Sequence, residues 1–103
     1  SVEEMLVQEM LECNQRTLEF LISGLLKLKA DSIILKEYFK IIENSIDANG
    51  MAKLNPNIII WAVSLLDRTS MPQLLSRAWQ QRFVQMLKVY YHKNNHFVYP
   101  ISS

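Results

Sequence analysis

The residues of this 103-residue chain best suited to chemistry are one cysteine and two histidines, Cys13, His92 and His96. His92 and His96 are four residues apart, a spacing that on a helix lets two imidazoles share a metal ion. The two asparagines between them, however, predict a helix end, and no further Cys or His cluster completes a tetrahedral ligand set. Cys13 falls on the apolar side of a predicted helix, where a thiol acts as a small hydrophobic group. We therefore expect no metal site and no catalytic cysteine.

One further stretch, from Ser45 to Gly50, resembles the start of an EF-hand calcium loop with glycine in its sixth position. The twelfth position is Pro56, where calcium binding needs a bidentate glutamate, so we interpret the stretch as a helix stop. The sequence also has no Gly-x-Ser-x-Gly, no glycine-rich phosphate loop and no His-Glu-x-x-His motif. These observations predict a protein that is not an enzyme and that has no cofactor.

The elements that position these residues are predicted to be helices. Half of the chain is hydrophobic, which is too much for a disordered chain, and it has only two glycines and three prolines. So few turn-forming residues argue against an all-β fold, which needs many turns. Apolar periodicity and capping signals predict a single helical domain over residues 1–93, with helices at about 2–28, 32–48, 56–67 and 71–92. Residues 94–103 are predicted to form an extended C-terminal tail.

Three start signals support these boundaries. Ser1 with Glu4 forms a capping-box pattern, and Asn55 before Pro56 and Ser70 before Pro72 each combine a cap with an early proline. The polar stripe of the first helix keeps its register across Asn14, which favours one long helix over two short ones. Asn14 and Thr17 then fall within the apolar sector. They are interpreted either as a polar pair at its margin or bonded to backbone, or as a register device against a partner helix.

The predicted fold is all-α, with four to five helices in antiparallel hairpins. The two hairpins are similar in size, about 45–50 residues each, which is the size of an α-solenoid unit. The chain therefore resembles, in architecture only, a short fragment of a HEAT or armadillo repeat protein. The alternative is a compact helical bundle.

The charges divide the chain into an acidic half and a basic half. Residues 1–50 carry five Lys/Arg and nine Asp/Glu, net −4, whereas residues 51–103 carry six and one, net +5. The formal net charge of +1 conceals this division. Two solvated faces that attract each other across the domain are the simplest interpretation, and a charged partner surface is the other.

The last predicted helix offers the best candidate for partner binding. Four large residues at helical spacing are predicted anchors of an apolar groove, and three cations beside them are predicted to select an acidic partner: Trp79, Phe83, Met86 and Tyr90, with Arg77, Arg82 and Lys88. The alternative for the large residues is that they pack in the core of the domain itself.

The function predicted from these patterns is non-catalytic protein–protein interaction, as a scaffold or adaptor domain that binds an amphipathic helix or peptide. The alternatives are homo-oligomerisation and weak nucleic-acid binding through Arg77, Arg82, Lys88 and Lys93. A single cysteine predicts a reducing, intracellular location, cytoplasmic or nuclear. Because the sequence starts with Ser1 and not with an initiator methionine, we expect it to be a domain of a larger protein. The longest apolar run, from Ile58 to Val63, is too short to span a membrane.

Overall fold

The computed structural model describes residues 1–28 and 33–94, with side chains described as far as residue 90. Over these ranges the chain forms helices only: α1 (Val2–Glu12), α2 (Gln15–Lys27), α3 (Ile33–Asn44), α4 (Pro56–Ser64), α5 (Met71–Leu74) and α6 (Arg77–Asn94). The predicted all-α class is confirmed for this part of the chain. Within the same ranges, no helix is both long enough and apolar enough to cross a bilayer.

The prediction of one continuous first helix was wrong, because the chain breaks between α1 and α2. Cys13 and Asn14 are both extended, with ψ of 168° and 170°. The Asn14 side chain accepts a hydrogen bond from the backbone N–H of Thr17 at 2.9 Å, which makes Asn14 the N-cap of α2. The Asn14 side chain is therefore bonded to the backbone, as one interpretation of the sequence has it, and it acts as a cap at the break between two helices.

The later helices also depart from their predicted limits. The second predicted helix, to residue 48, ends at Asn44, and the third ends at Ser64 instead of residue 67. The fourth is divided into α5 and α6, because the backbone is extended at Leu75. The predicted tail and His96 lie outside the described residues, except for Asn94, which ends α6.

The segment after α3 is a small hairpin and not the end of a helix. The backbone N–H of Lys53 donates to the Ser45 carbonyl at 2.7 Å, and that of Asp47 donates to Met51 at 3.0 Å. The Asp47 carboxylate accepts the backbone N–H groups of Asn49 and Met51, an Asx turn that closes the loop. Asp47, the aspartate of the stretch that resembles an EF-hand loop, therefore stabilises this turn.

Gly50 holds this hairpin against α6. Its φ of +82° lies in the left-handed region, and a Cβ at this position would be 2.7 Å from the carbonyl carbon of Gln85. The same Cβ would be 2.8 Å from the backbone nitrogen of Met86. Only glycine permits both the conformation and the close approach.

A hydrogen bond between distant residues fixes the start of α6. Glu43, near the end of α3, accepts the backbone N–H of Ser76 at 2.9 Å, and the Ser76 hydroxyl accepts that of Trp79 at 3.2 Å. A carboxylate here also complements the positive end of the helix dipole. This bond explains why the predicted fourth helix is interrupted at residues 75–76.

One hydrophobic core joins the elements, and α1 packs against α3 while α2 packs against α4. Helix α4 was predicted to be buried on all sides, but Ile58 and Trp61 are only half-buried. The buried apolar side chains are Val7, Met10, Leu18, Ile22, Leu35, Tyr38, Phe39, Ile42, Ile46, Ile59, Ile60, Ala62, Val63, Leu66, Leu75, Trp79 and Met86.

Candidate protein-binding surfaces

Two of the four predicted anchors lie in the core. Trp79 and Met86 are 1% and 0% exposed, so a partner that docks on the folded domain does not reach them. Their aromatic and thioether groups pack inside the domain instead. For these two residues the structure matches the alternative interpretation of the stripe, in which its large residues belong to the core.

The other two anchors, Phe83 and Tyr90, are half-buried and pack against the same core. The Phe83 ring stacks on the ring of Trp79, with centroids 5.0 Å apart and an interplanar angle of 22°. Phe83 is thus partly covered from within the domain, because one face of its ring lies on Trp79. The four predicted anchors therefore lie on the inner side of α6, and of these four only Phe83 and Tyr90 are partly exposed.

The three predicted cations do not share one face of α6. Arg77 and Lys88 are exposed, and eleven residues separate them, close to three full turns, so they point the same way. Arg82 is rotated about 140° from Arg77, and its buried Nε has no hydrogen-bond partner among the described residues. The side chain of Lys93 is outside the described part. Two aligned cations can neutralise only about two phosphates of a nucleic-acid backbone, which weakens the nucleic-acid hypothesis.

A shallow depression of about 490 Å³ marks the exposed face of α6. Val84, 49% exposed, is the apolar residue within it. Glutamines and the two aligned cations form the rest of the lining: Arg77, Gln80, Gln81, Gln85 and Lys88. We refer to these six residues, including Val84, as the basic face of α6.

A larger groove, about 600 Å³, runs between α1 and α3. Its apolar residues are Val7, which is buried, Ile33, which is 63% exposed, and Ile41, which is 37% exposed. Its polar residues are Ser1, Glu3, Glu4, Gln8 and Glu37. We call this set of eight residues the acidic groove. It was not among the sites predicted from the sequence.

The charge of the acidic groove is negative. Three of its residues are glutamates, and no lysine or arginine lines it among the described residues. The sequence of α1 carries four glutamates and no basic side chain. The Ser1 ammonium lies 4.0 Å from Glu4, but both groups are exposed, so this ion pair contributes little.

The signal that could have revealed the groove is the spacing of Ile33, Glu37 and Ile41. These residues follow each other at four-residue intervals and therefore share one side of α3. The apolar face of this helix is wide enough that Ile41 is readily assigned to the core with Ile42. Only the position of α1 shows that the Ile33 side of α3 stays in solvent.

A third depression, about 480 Å³, lies on α2 around Phe20, which is 77% exposed. Its charges are mixed, since Arg16 and Lys27 face it together with Glu19. A single exposed aromatic side chain is ordinary on a protein surface. This depression does not indicate a particular partner.

The structure describes only some of the residues that the sequence singled out for chemistry. Burial, and then the neighbouring Glu9, raise the pKa of the Cys13 thiol, which lowers the fraction of thiolate at neutral pH. The side chain of His92 is outside the described part, as is all of His96. Across the described ranges no three His, Cys, Asp or Glu side chains come together as metal ligands.

Tyr38 provides a test of the core. It is fully buried, and its hydroxyl has no hydrogen-bond partner among the described residues. Burial, and then the nearby Cys13, raise the pKa of Tyr38 above its usual value near 10. The folded state therefore resists ionisation, and its stability is present at neutral pH but falls as pH rises above about 10.

We expect Tyr38→Phe to leave the free energy of unfolding at pH 7 unchanged within about 1 kcal/mol, or to increase it, because it removes an unpaired buried hydroxyl. Above about pH 10 the variant is expected to lose less stability than wild type, by up to about 1.4 kcal/mol per pH unit. Urea titrations at several pH values measure both effects. Equal pH dependence in the two proteins would contradict this account of Tyr38.

Comparison with known proteins finds no matching family model, no matching curated protein and no matching solved structure. A proposal about function therefore depends on the surfaces of the chain itself. The acidic groove is larger than the depressions on α2 and α6, and it leaves two isoleucine side chains in solvent.

Proposed function

We propose that this chain is a non-catalytic protein–protein interaction domain, a scaffold or adaptor that binds a helix or peptide of a partner. One observation supports the proposal: the acidic groove leaves Ile33 and Ile41 in solvent next to the buried Val7. We further propose an intracellular location within a larger protein, and an arrangement of the helices as a bundle or as two HEAT-like hairpins.

Covering the two exposed isoleucines contributes a measurable part of a binding free energy. Covering a fully exposed isoleucine side chain contributes about 1.5–3 kcal/mol, and the exposed fractions of Ile33 and Ile41 together amount to about one such side chain. A contribution of that size corresponds to more than a tenfold change in affinity. A partner that covers both residues therefore depends measurably on them.

The basic face of α6 remains a second proposed contact. Like the site predicted from the sequence, this face contains Arg77 and Lys88. Its apolar residue is Val84, whereas the predicted anchors Trp79 and Met86 are buried. Its charge suits an acidic segment, as the sequence predicted. Its single apolar residue makes it a weaker contact than the acidic groove.

Self-association is the second candidate function, and the charges of two helices favour it. The sequence of α1 has four acidic and no basic residues, and that of α6 has four Lys/Arg and no acidic residue. Contact between the α1 of one copy and the α6 of another pairs opposite charges. Sedimentation velocity at low and high salt tests this, since a monomer under both conditions contradicts it.

Affinity purification with paired baits tests the proposed function. The groove variant carries Ile33→Ser and Ile41→Ser, and the control carries Phe20→Ser and Met5→Ser, which remove two exposed apolar side chains outside both proposed contacts. We expect the groove variant to recover at least one partner more than tenfold less than wild type, while the control recovers it normally. Thermal unfolding of all three proteins establishes that they are folded.

The proposal fails if the two variants and wild type, all folded, recover the same proteins in the same amounts. Loss of a partner from both variants alike also contradicts it, because the loss is then not specific to the groove.

A further inference from the structure

We infer that the acidic groove accepts a cationic amphipathic helix, one that carries lysines or arginines beside an apolar stripe. This inference rests on the proposed function and adds the chemistry of the partner. It follows from the shape of the groove, from its charge and from the poor fit of a second copy of the chain.

The shape of the groove suits a helix. Ile33, Glu37 and Ile41 form one row along α3, and eight residues of helix span about 12 Å. Glu4 and Gln8 form a similar row on the facing side of α1, which the N-cap residue Ser1 extends. Because α1 and α3 pack against each other, the two rows border a channel with Val7 between them. A third helix fits such a channel in the helix-in-groove mode, with its apolar side chains on the two isoleucines.

The charge of the groove selects the sign of the partner. Glu3, Glu4 and Glu37 line it, and no lysine or arginine from the described part of the chain does. The Ser1 ammonium lies 4.0 Å from Glu4, but this exposed pair offsets little of the negative charge. An acidic helix in this place brings like charges together, and a neutral one removes carboxylates from water without a counter-charge. Lysine or arginine residues flanking an apolar stripe pair with these glutamates and stay at the solvent-exposed rim. The same negative charge disfavours nucleic acid and anionic membrane surfaces.

A second copy of the chain fits the groove less well than a foreign cationic helix. The basic face of α6 has the required charge, with Arg77 and Lys88. However, Val84 is its only apolar residue, and its remaining residues are glutamines. Docking this face on the groove places amides over Ile33 and Ile41, so the apolar surface is poorly covered. We therefore assign the groove to a helix from another protein.

Two synthetic helical peptides with the same leucine stripe test the inference on the full 103-residue chain. One peptide carries lysines beside the leucines and the other carries glutamates. We expect the lysine peptide to bind at least tenfold more tightly by fluorescence anisotropy. We also expect its affinity to fall as salt is raised, since exposed charges are screened.

Matched variants locate the binding. Glu4→Gln with Glu37→Gln removes two charges from the groove, and Glu9→Gln with Glu19→Gln removes two exposed charges outside it. The groove pair is expected to weaken binding of the lysine peptide about threefold to tenfold, as for two exposed ion pairs. The control pair is expected to change it less than twofold. Ile33→Ser is expected to weaken it further by removing an apolar contact.

Several outcomes overturn the inference. They are equal binding of the two peptides, no binding of either, or equal effects of the two glutamine pairs, which indicates attraction to overall charge only. A wild-type dimer that Ile33→Ser with Ile41→Ser dissociates assigns the groove to a second copy. If any of these occurs while the bait experiment still loses a partner, the interaction function stands and only the cationic helix is wrong.

Discussion

Gly50→Ala is expected to lower the free energy of unfolding by about 3 kcal/mol. A non-glycine residue in the left-handed region costs about 1–3 kcal/mol, and Gly50 has a φ of +82°. The added Cβ also meets backbone atoms of α6, at 2.7 Å for Gln85 and 2.8 Å for Met86. Backbone cannot move aside as a flexible side chain does, and overpacking of this kind adds about 1–3 kcal/mol.

The other glycine of the chain supplies the control for this measurement. A Cβ at Gly24, inside α2, has no heavy atom of its surroundings within 4 Å. Gly24→Ala is therefore expected to stabilise the protein by about 0.5–1 kcal/mol, because alanine is the better helix former. Urea denaturation of both variants measures the difference. If the two alanines have effects of the same sign, the hairpin does not pack on α6 as described.

Trp79→Ala is the second substitution with a large expected effect, a loss of about 3–5 kcal/mol in the free energy of unfolding. Trp79 is 1% exposed and stacks on Phe83, so its removal leaves a cavity and a ring without its partner. Phe20→Ala is the control, since Phe20 is 77% exposed and its loss is expected to change stability by about 0.5 kcal/mol or less. Similar losses for the two variants would place Trp79 at the surface.

The stability of Trp79 variants affects how binding data are interpreted. If Trp79→Ala abolishes an interaction, the cause is expected to be partial unfolding, and circular dichroism of the same sample detects it. Substitutions at Val84 or Arg77, which are exposed, test the basic face of α6 without disturbing the core. Substitutions at Ile33 do the same for the acidic groove.

Local signals in the sequence predict where several helices begin. Ser1 accepts the backbone N–H of Glu4, and Asn55 accepts that of Asn57 with Pro56 at the first helical position, as predicted. Asn14 carries the same kind of signal, but the apolar periodicity continues through it, so the periodicity concealed the cap. A cap within an unbroken stripe is best interpreted as a helix start when its own side chain can reach the third following N–H.

Contacts between distant residues explain what the sequence could not predict. The break before α6 depends on Glu43, 33 residues before Ser76. Gly50 was assigned to a helix end, whereas its actual constraint is the backbone of α6, 35 positions further along. Local patterns carry no information about such partners, because the partners meet only when the core has formed.

Contacts between distant residues also determine which of the candidate site residues are exposed. Composition and spacing identify large apolar residues, but exposure depends on which helix covers them. Trp79 and Met86 are covered by the core, whereas Ile33, on a helix with an equally clear apolar face, is left beside α1. The sequence therefore identifies large apolar residues, but it does not show which of them the fold leaves exposed.

The link between α1 and α2 has a consequence for the affinity of the acidic groove. Only Cys13 and Asn14 separate the two helices, and both form hydrogen bonds at the helix ends. The backbone N–H of Cys13 donates to the Glu9 carbonyl at 2.8 Å, and the Asn14 side chain caps α2. With Val7 and Met10 in the core as well, α1 cannot swing away without losing these contacts. The α1 side of the groove is thus held in place, so a partner of the proposed kind would meet it already positioned. Little of the binding free energy is then spent on the conformational entropy of the domain itself.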